Sequence, residues 1–289
     1  MSAKIISVGE VLWDIFPDGK KLGGAPANFA YIAASLGLES SIISAIGNDA
    51  LGENAIKLLR KKGVNTIFTR TPYPTGTVNV SINNYGIPTY DIKENVAWDH
   101  ILYLNEAKDV VMQAQCISFG TLAQRSPISH LTIKKILENT PMDAYKVFDI
   151  NLRQNYYTPG LLAESFSLCN ILKINDDELD IISNFFNING SNEEKCRKLL
   201  ALYGWKILIL TCGEKGSYVF TPNKTLFKET PKVKVLDTVG AGDAFCAAFC
   251  SAILKGYFME EAHNIAVEVA AYVCTQSGAM PMWPKTLRI

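Results

Sequence analysis

Short apolar runs alternate with amphipathic stretches along most of this chain. Residues 4–9, 40–46, 116–119, 146–149, 171–174 and 206–211 are nearly all apolar. That is the pattern of parallel strands buried on both faces. Helical periodicity separates them at 27–36, 49–62, 129–137, 159–169, 176–186 and 193–203, and two longer helices follow at 241–254 and 260–275. Pro26 opens the first helix, and Gly37 and Gly63 stop the first two. Residues 216–221 and 232–236 have the pattern of edge strands. Strand–helix alternation of this kind predicts an α/β fold: a doubly wound, mostly parallel sheet flanked by helices, with a ligand crevice at the carboxyl ends of the strands.

One region breaks the pattern. Residues 77–83 alternate with period two, Asn83-Asn84-Tyr85-Gly86 has turn composition, and 89–93 form a returning strand. Residues 10–22 carry Trp13, Phe16, Pro17, Asp18 and Gly19 and leave the core pattern as well. The two excursions, about 10–22 and 72–103, are expected to pair into a small sheet projecting from a single domain spanning 1–289. Val78, Val80, Ile82 and Tyr90 would give that sheet an apolar face.

Composition narrows the partners. The chain has 289 residues, 48% of them hydrophobic, which is ample for a large core. Twenty-eight basic residues balance 28 acidic ones, and no like-charge run suggests nucleic acid or a membrane surface. No apolar run approaches the ~20 residues that span a bilayer. The seven cysteines show no Cys-x-x-Cys pair and no zinc spacing, so they are expected to be small buried side chains in a reducing, cytoplasmic protein.

The strongest chemical feature is Thr238-Val239-Gly240-Ala241-Gly242-Asp243, where two glycines lead into a helix. Free N–H groups at a helix start bind anions, and glycine lets the backbone come close to them. Asp243 beside such an anion would be repulsive unless it accepts a proton from an incoming hydroxyl; otherwise it only complements the helix dipole. Gly23-Gly24-Ala25-Pro26-Ala27-Asn28 is a second glycine turn into a helix. Its Asn28 could bind a polyol or cap local backbone. Thr211-Cys212-Gly213-Glu214-Lys215-Gly216 could hold a nucleotide or be an ordinary turn, and Asn175-Asp176-Asp177-Glu178 could be a helix cap or a metal–water site. The Gly-x-x-x-x-Gly-Lys-Ser/Thr loop and the Gly-x-Gly-x-x-Gly dinucleotide signature are absent, which disfavours a nicotinamide-dependent dehydrogenase.

Taken in order, these motifs resemble those of the ribokinase-like (PfkB) carbohydrate kinases over essentially the whole chain. The segment 23–28 is similar to the family's amino-terminal signature and 237–243 to its carboxy-terminal one. Asn175 to Glu178 resembles its Asn-x-x-Glu motif, and Thr211 to Gly216 its Thr-x-Gly-x-x-Gly turn. Gly9-Glu10-Val11-Leu12-Trp13-Asp14, Ala25-Pro26 and Asp149-Ile150-Asn151-Leu152-Arg153 are most similar to bacterial fructokinases. The resemblance implies roles. Asp243 would deprotonate a sugar hydroxyl, with Gly240, Ala241 and Gly242 as anion hole. Asp14, Gly24, Asn28 and Arg153 would hold the sugar. Asn175, Thr211, Gly213, Lys215, Gly216, Gly240 and Gly242 would hold ATP. Mg2+ would bridge the phosphates through water near Glu178, and a potassium ion would sit on main-chain oxygens near Asp237. The excursions would form a lid over the sugar and a homodimer contact. Val267 stands where relatives place an adenine-contacting Asn or His. The expected reaction is D-fructose to fructose 6-phosphate. Ribose, 2-keto-3-deoxygluconate or a nucleoside are the alternative acceptors, and a non-catalytic sugar sensor is a more distant reading.

Overall fold

A computed structural model describes residues 3–17, 19–82, 88–284, 287 and 289, with the backbone alone at 80–82 and 88–90. Nine strands form the main sheet. Strand β1 (Lys4–Val8) lies inside it, with six strands on one side and two on the other, and β2 (Leu12–Phe16) and β3 (Gly19–Gly23) leave it for a second sheet. Helix α1 (Ala25–Ser35) returns the chain to β4 (Glu39–Gly47), and α2 (Ala50–Lys61) leads to β5 (Asn65–Thr71) at one edge. Strands β6 (Gly76–Ile82) and β7 (Pro88–Ile92) complete the second sheet, and α3 (Asn105–Met112) leads to β8 (Cys116–Gly120). The chain then steps outward through α4 (Pro127–Asn139), β9 (Tyr145–Asp149), α5 (Pro159–Leu168), β10 (Ile171–Asn175), α6 (Asp176–Phe185), α7 (Asn192–Tyr203) and β11 (Ile207–Thr211). A hairpin, β12 (Ser217–Thr221) and β13 (Lys224–Lys228), closes the far edge, and α8 (Ala241–Leu254) and α9 (Met259–Cys274) end the fold.

The main sheet runs β13-β12-β11-β10-β9-β8-β1-β4-β5, parallel except for the two antiparallel pairings of the hairpin. Side-chain alternation divides the core into two layers. Ile6, Ile43, Ile117, Phe148, Leu172 and Leu208 face the layer covered by α3 to α7. Ile5, Ile42, Cys116, Val147, Ile171 and Ile209 face α1, α2, α8 and α9. This is why the strands are apolar on both faces. All seven cysteines are free, and six are buried as small apolar side chains. Among the described residues, no helix is long and apolar enough to cross a membrane.

Several expectations are corrected. Residues 232–236 do not form a strand. Their Lys-Val alternation suits a sheet edge, but the β12–β13 hairpin already occupies that edge, with Ser217 paired to Lys228. Val235 and Leu236 are left 57% and 68% exposed, and the Leu236 and Asp237 amides donate to the Cys274 carbonyl instead. Consequently β12 is a penultimate strand, not an edge. The edge strands β5 and β13 and the short helix α3 were not anticipated. The second sheet, in order β3-β2-β6-β7, matches the expected pairing of the two excursions, but the stretch 72–103 divides. Residues Val96, Ala97, Trp98 and Ile101 are buried in the main core. Val78 is buried too, so it gives the small sheet no open apolar face. The Asn83–Gly86 turn and the side chains of Val80, Ile82 and Tyr90 lie outside what is described.

Arg125 joins the exit of the second sheet to the main body. Its Nε and Nη2 donate to the two carboxylate oxygens of Asp99 at 2.8 and 2.9 Å, and Nη2 also donates to the Lys93 carbonyl. The guanidinium stacks on Trp98, 3.9 Å from the ring centroid, and both charged side chains are under a tenth exposed. Removing one partner strands the other charge in the interior. Arg125→Leu is therefore expected to lower stability by about 3–5 kcal/mol in urea unfolding, and a loss below about 1 kcal/mol would mean the pair behaves like an exposed one.

Candidate active site

Strand β1 is the switch point of the sheet: the chain first moves from it to β4, then returns to its other side at β8. The crevice opens at the carboxyl ends there. Pro26, Phe29, Phe119, Gly120, Asp149 and Asp243 line a cavity at this place. Register brings the ends into a row, with Gly120 beside Asp149, Asp149 beside Lys173, and Asn175 beside Thr211.

Helix α8 points its start at this row. Gly240 adopts φ 78°, and a Cβ there would run into Ala279, so the left-handed turn and the close approach of the final loop both require glycine. The Ala241 amide donates to the Thr238 carbonyl at 3.2 Å. Among the described residues the Gly240, Gly242 and Asp243 amides have no acceptor, so the expected Gly240–Gly242 turn keeps two free donors and the Asp243 amide adds a third. Asp237 fixes the approach from both sides: Oδ1 accepts the Val239 amide at 3.0 Å and Oδ2 the Gly278 amide at 2.9 Å.

Asp243 is held by Asn28, whose Nδ2 donates to Oδ2 at 2.7 Å. Asn28 is 4% exposed, and its own Oδ1 is buried without a partner among the described residues. Thus the residue expected to bind sugar points its amide at the carboxylate. Burial raises the Asp243 carboxyl above its usual range, opposed by the Asn28 hydrogen bond and then by the charges of Lys173 and Arg153. Gly24, at φ 102°, caps α1; a Cβ there would strike the Glu10 carbonyl, so its place in the site is to let the β1–β2 connection pass. Asp14 stands in the second sheet opposite Lys21, and burial pushes its carboxyl up to about 6 against the pull of Lys21. Arg153 sits on an exposed loop between Asn151 and Gln154, both at φ 48°. From there its charge acts on Asp243, Asp149 and Glu10.

The second set of expected residues lies farther along the row. Thr211 ends β11, and the Gly213–Lys215 turn closes with the Cys212 amide on the Gly216 carbonyl at 2.9 Å. Gly216, at φ 123°, leaves room for the Lys228 carbonyl. Lys215, largely exposed, lies 3.8 Å from Asp176 in the first turn of α6. Asn175 and Glu178 form a reciprocal helix cap: Oδ1 of Asn175 accepts the Glu178 amide and Oε2 of Glu178 accepts the Asn175 amide. Oε1 of Glu178 takes the Leu152 amide at 2.9 Å, so each carboxylate oxygen holds one main-chain amide and keeps a second lone pair. No group of three or more His, Cys, Asp or Glu side chains among the described residues could hold a metal ion. Val267 lies on α9, partly packed against the core.

Of three further charged residues at the site, Lys173 escaped the sequence reading, while Asp149 and Glu10 stood only inside longer motifs with no role of their own. Lys173 and Asp149 form an ion pair at 2.9 Å, each less than a tenth exposed. Burial presses the Lys173 ammonium down, but Asp149 and Glu178 outweigh it and hold it above its usual value. Glu10 is 4% exposed, with Oε2 buried and unpartnered among the described residues; burial raises its carboxyl to about 7, Asp243 adds to that, and Arg153 opposes it. The available signals were a lysine inside the apolar run Ile171-Leu172-Lys173-Ile174 and an acid directly after Gly9.

Fold and site together define an α/β protein whose crevice gathers carboxylates, cations and a helix start. The pattern described as pfkB family carbohydrate kinase matches residues 10–286. An ATP-dependent 6-phosphofructokinase of Thermoanaerobacterium thermosaccharolyticum is 27% identical, over 96% of this chain and 89% of its own. A protein named probable fructokinase-5, from Arabidopsis thaliana, is 30% identical over 97% and 94%. The crystal structure of an uncharacterized sugar kinase from Pyrococcus horikoshii in complex with ATP superposes with a TM-score of 0.82 at 30% identity, covering 96% of this chain and 94% of that one. This chain belongs to the PfkB family of carbohydrate kinases and has the ribokinase-like fold.

Glu10 generates a pH test. Its carboxyl is raised on folding, so the protonated form favours the native state, and that contribution is lost as pH rises from about 4.5 through about 7. The difference amounts to on the order of 3 kcal/mol. Glu10→Gln, which mimics the protonated acid, is expected to gain stability relative to the parent between pH 5 and pH 8 in urea melts. Equal pH slopes for the two proteins would remove the buried acid from the account.

Proposed function

We propose that this carbohydrate kinase transfers the γ-phosphoryl group of ATP to a hydroxyl of D-fructose, giving fructose 6-phosphate, with Asp243 as the general base. The observation that carries this reading is the Asn28–Asp243 hydrogen bond at the start of α8. Asn28 fixes one carboxylate oxygen and leaves the other to face the crevice, beside amides suited to phosphate. Base and anion site then share one helical turn, which suits an in-line transfer in which positioning and electrostatics do most of the catalysis. The raised Asp243 carboxyl makes it a better proton acceptor than an exposed aspartate.

The remaining roles follow from position. Arg153, whose charge acts on Asp243 from the β9–α5 loop, and Asp14, opposite Lys21 in the second sheet, would hold sugar hydroxyls. Asn28 acts mainly through Asp243, and Gly24 by making room. Thr211, Gly213, Gly216 and Asn175, at the ends of β10 and β11, would bind ATP, with Lys215 at the rim and the Gly240–Gly242 turn on its phosphates. Mg2+, when bound, would neutralise phosphate charge, and Glu178, whose oxygens also hold main-chain amides, would act on it through water. A potassium ion would find main-chain oxygens in the two loops that Asp237 ties together. The sheet of β2, β3, β6 and β7 would serve as a lid that keeps water from the phosphoryl group. Association of two copies through that sheet remains part of the proposal, and the burial of Val78 removes one of its supports.

Fructose is favoured by the likeness to fructokinase-5 and by the Asp149-Ile150-Asn151-Leu152-Arg153 motif. The test is ADP release from ATP and Mg2+ across fructose, fructose 6-phosphate, ribose, 2-keto-3-deoxygluconate and adenosine. The expected result is the highest kcat/KM with fructose. A higher value with another acceptor would replace fructose and leave the transfer chemistry standing.

A further inference from the structure

We propose that Lys173 contacts the phosphoryl group in flight, as a charged donor directly beneath the start of α8. The inference rests on the phosphoryl-transfer reading of that helix start and goes beyond it by adding a residue to the machinery.

A lysine inside a parallel strand needs a reason. Leu172 and Ile174 point into the layer under α3 to α7, so Lys173 points the other way, toward α8. Its side chain is 6% exposed. A Cβ at Gly242 would lie 2.9 Å from Nζ, which puts the ammonium against the first turn of α8, where the Gly242 amide has no acceptor among the described residues. The start of a helix carries partial positive charge. A cation there is repelled by the helix unless anions compensate. Asp149 supplies one, taking a hydrogen bond from Nζ at 2.9 Å. An ammonium has three donors, and among the described residues only Asp149 accepts from this one. Two positive elements, the helix start and Nζ, therefore converge on one point beside Asp243. A counterion for Asp149 alone would have no need of that position. An anion placed between them satisfies both.

The transferred group is such an anion. In the step, the sugar oxygen forms its bond to Pγ as the bond from Pγ to the β–γ bridging oxygen breaks. That electron pair stays on the departing ADP, and the hydroxyl proton passes to Asp243. Negative charge on the three peripheral oxygens of Pγ is steadied by the Gly242 amide and by Nζ. Gly242 is small so that both donors reach the same oxygen cluster.

The test uses Lys173→Met and the double variant Lys173→Met/Asp149→Asn, which leaves no bare charge buried. Cooperative melting establishes folding. Binding of ADP alone, and of ADP with aluminium fluoride and sugar as a planar mimic of the group in flight, is then titrated by tryptophan fluorescence. The expected result is nearly unchanged ADP affinity, with turnover and affinity for the mimic each lowered about 10²- to 10³-fold. If the single variant fails to fold, the double variant decides. Retained turnover or retained mimic binding in either folded variant would overturn the proposal, as would failure of both to fold, the behaviour of a purely structural counterion. A parent protein that releases no ADP with any acceptor would sink the transfer reading itself, and the proposal with it.

Discussion

A carboxylate can take a proton from a sugar beside a triphosphate only if the protein fixes it there against repulsion. On the proposed reading, the fixing contact in this chain is the hydrogen bond from Asn28 to Asp243, between residues 215 positions apart. The contact requires α1 and α8 to pack side by side on the same face of the sheet, with their starts level. Glycines allow that approach. Gly24 lets the β1–β2 connection pass under α1, and Gly240 lets the final loop close over α8. The second sheet grows out of the connection between β1 and α1, so its placement follows from the same junction.

Around this contact the charges are arranged as counterparts. Glu10, Asp149 and Asp243 are carboxyls whose burial disfavours their charged forms, while Lys173 and Arg153 act in the other direction. Charge buried this way does little for stability by itself. On the proposed function it is preorganisation: the donors and the proposed base would be in place before substrate arrives, so little rearrangement would be needed as charge moves. The helix cap at Asn175 and Glu178 has a related effect, since the Glu178 carboxylate also holds the Leu152 amide and thereby the loop that carries Arg153.

The architecture was legible where hydrophobic burial decides it. Strands β1, β8, β9, β10 and β11 are covered on both faces, and their sequences are correspondingly apolar. Edge strands leave a weaker trace. In β5 (Asn-Thr-Ile-Phe-Thr-Arg-Thr) and β13 (Lys-Thr-Leu-Phe-Lys), polar residues are tolerated because one face or one side is wet. The alternating residues 232–236 carried a clearer strand pattern than either, yet the hairpin had taken the edge they would need. Local pattern does not record which partner is already paired. The same division holds in the site. Asp243 and its glycines stand out because the turn chemistry is local. Lys173, Asp149 and Glu10 do not, because their meaning depends on cross-strand register and on a helix start far away in the chain. Asn28 was legible as a site residue, but its hydrogen-bond partner was not.

The central claim is that Asp243, steadied by Asn28, takes the proton of the accepting hydroxyl. The most direct test is rapid-quench transfer of label from [γ-33P]ATP to the preferred sugar, comparing the parent with Asp243→Asn, which keeps the size of the side chain. The account predicts unchanged ATP affinity and a transfer rate lower by about 10²- to 10⁴-fold. Transfer to the sugar at close to the parent rate would contradict it.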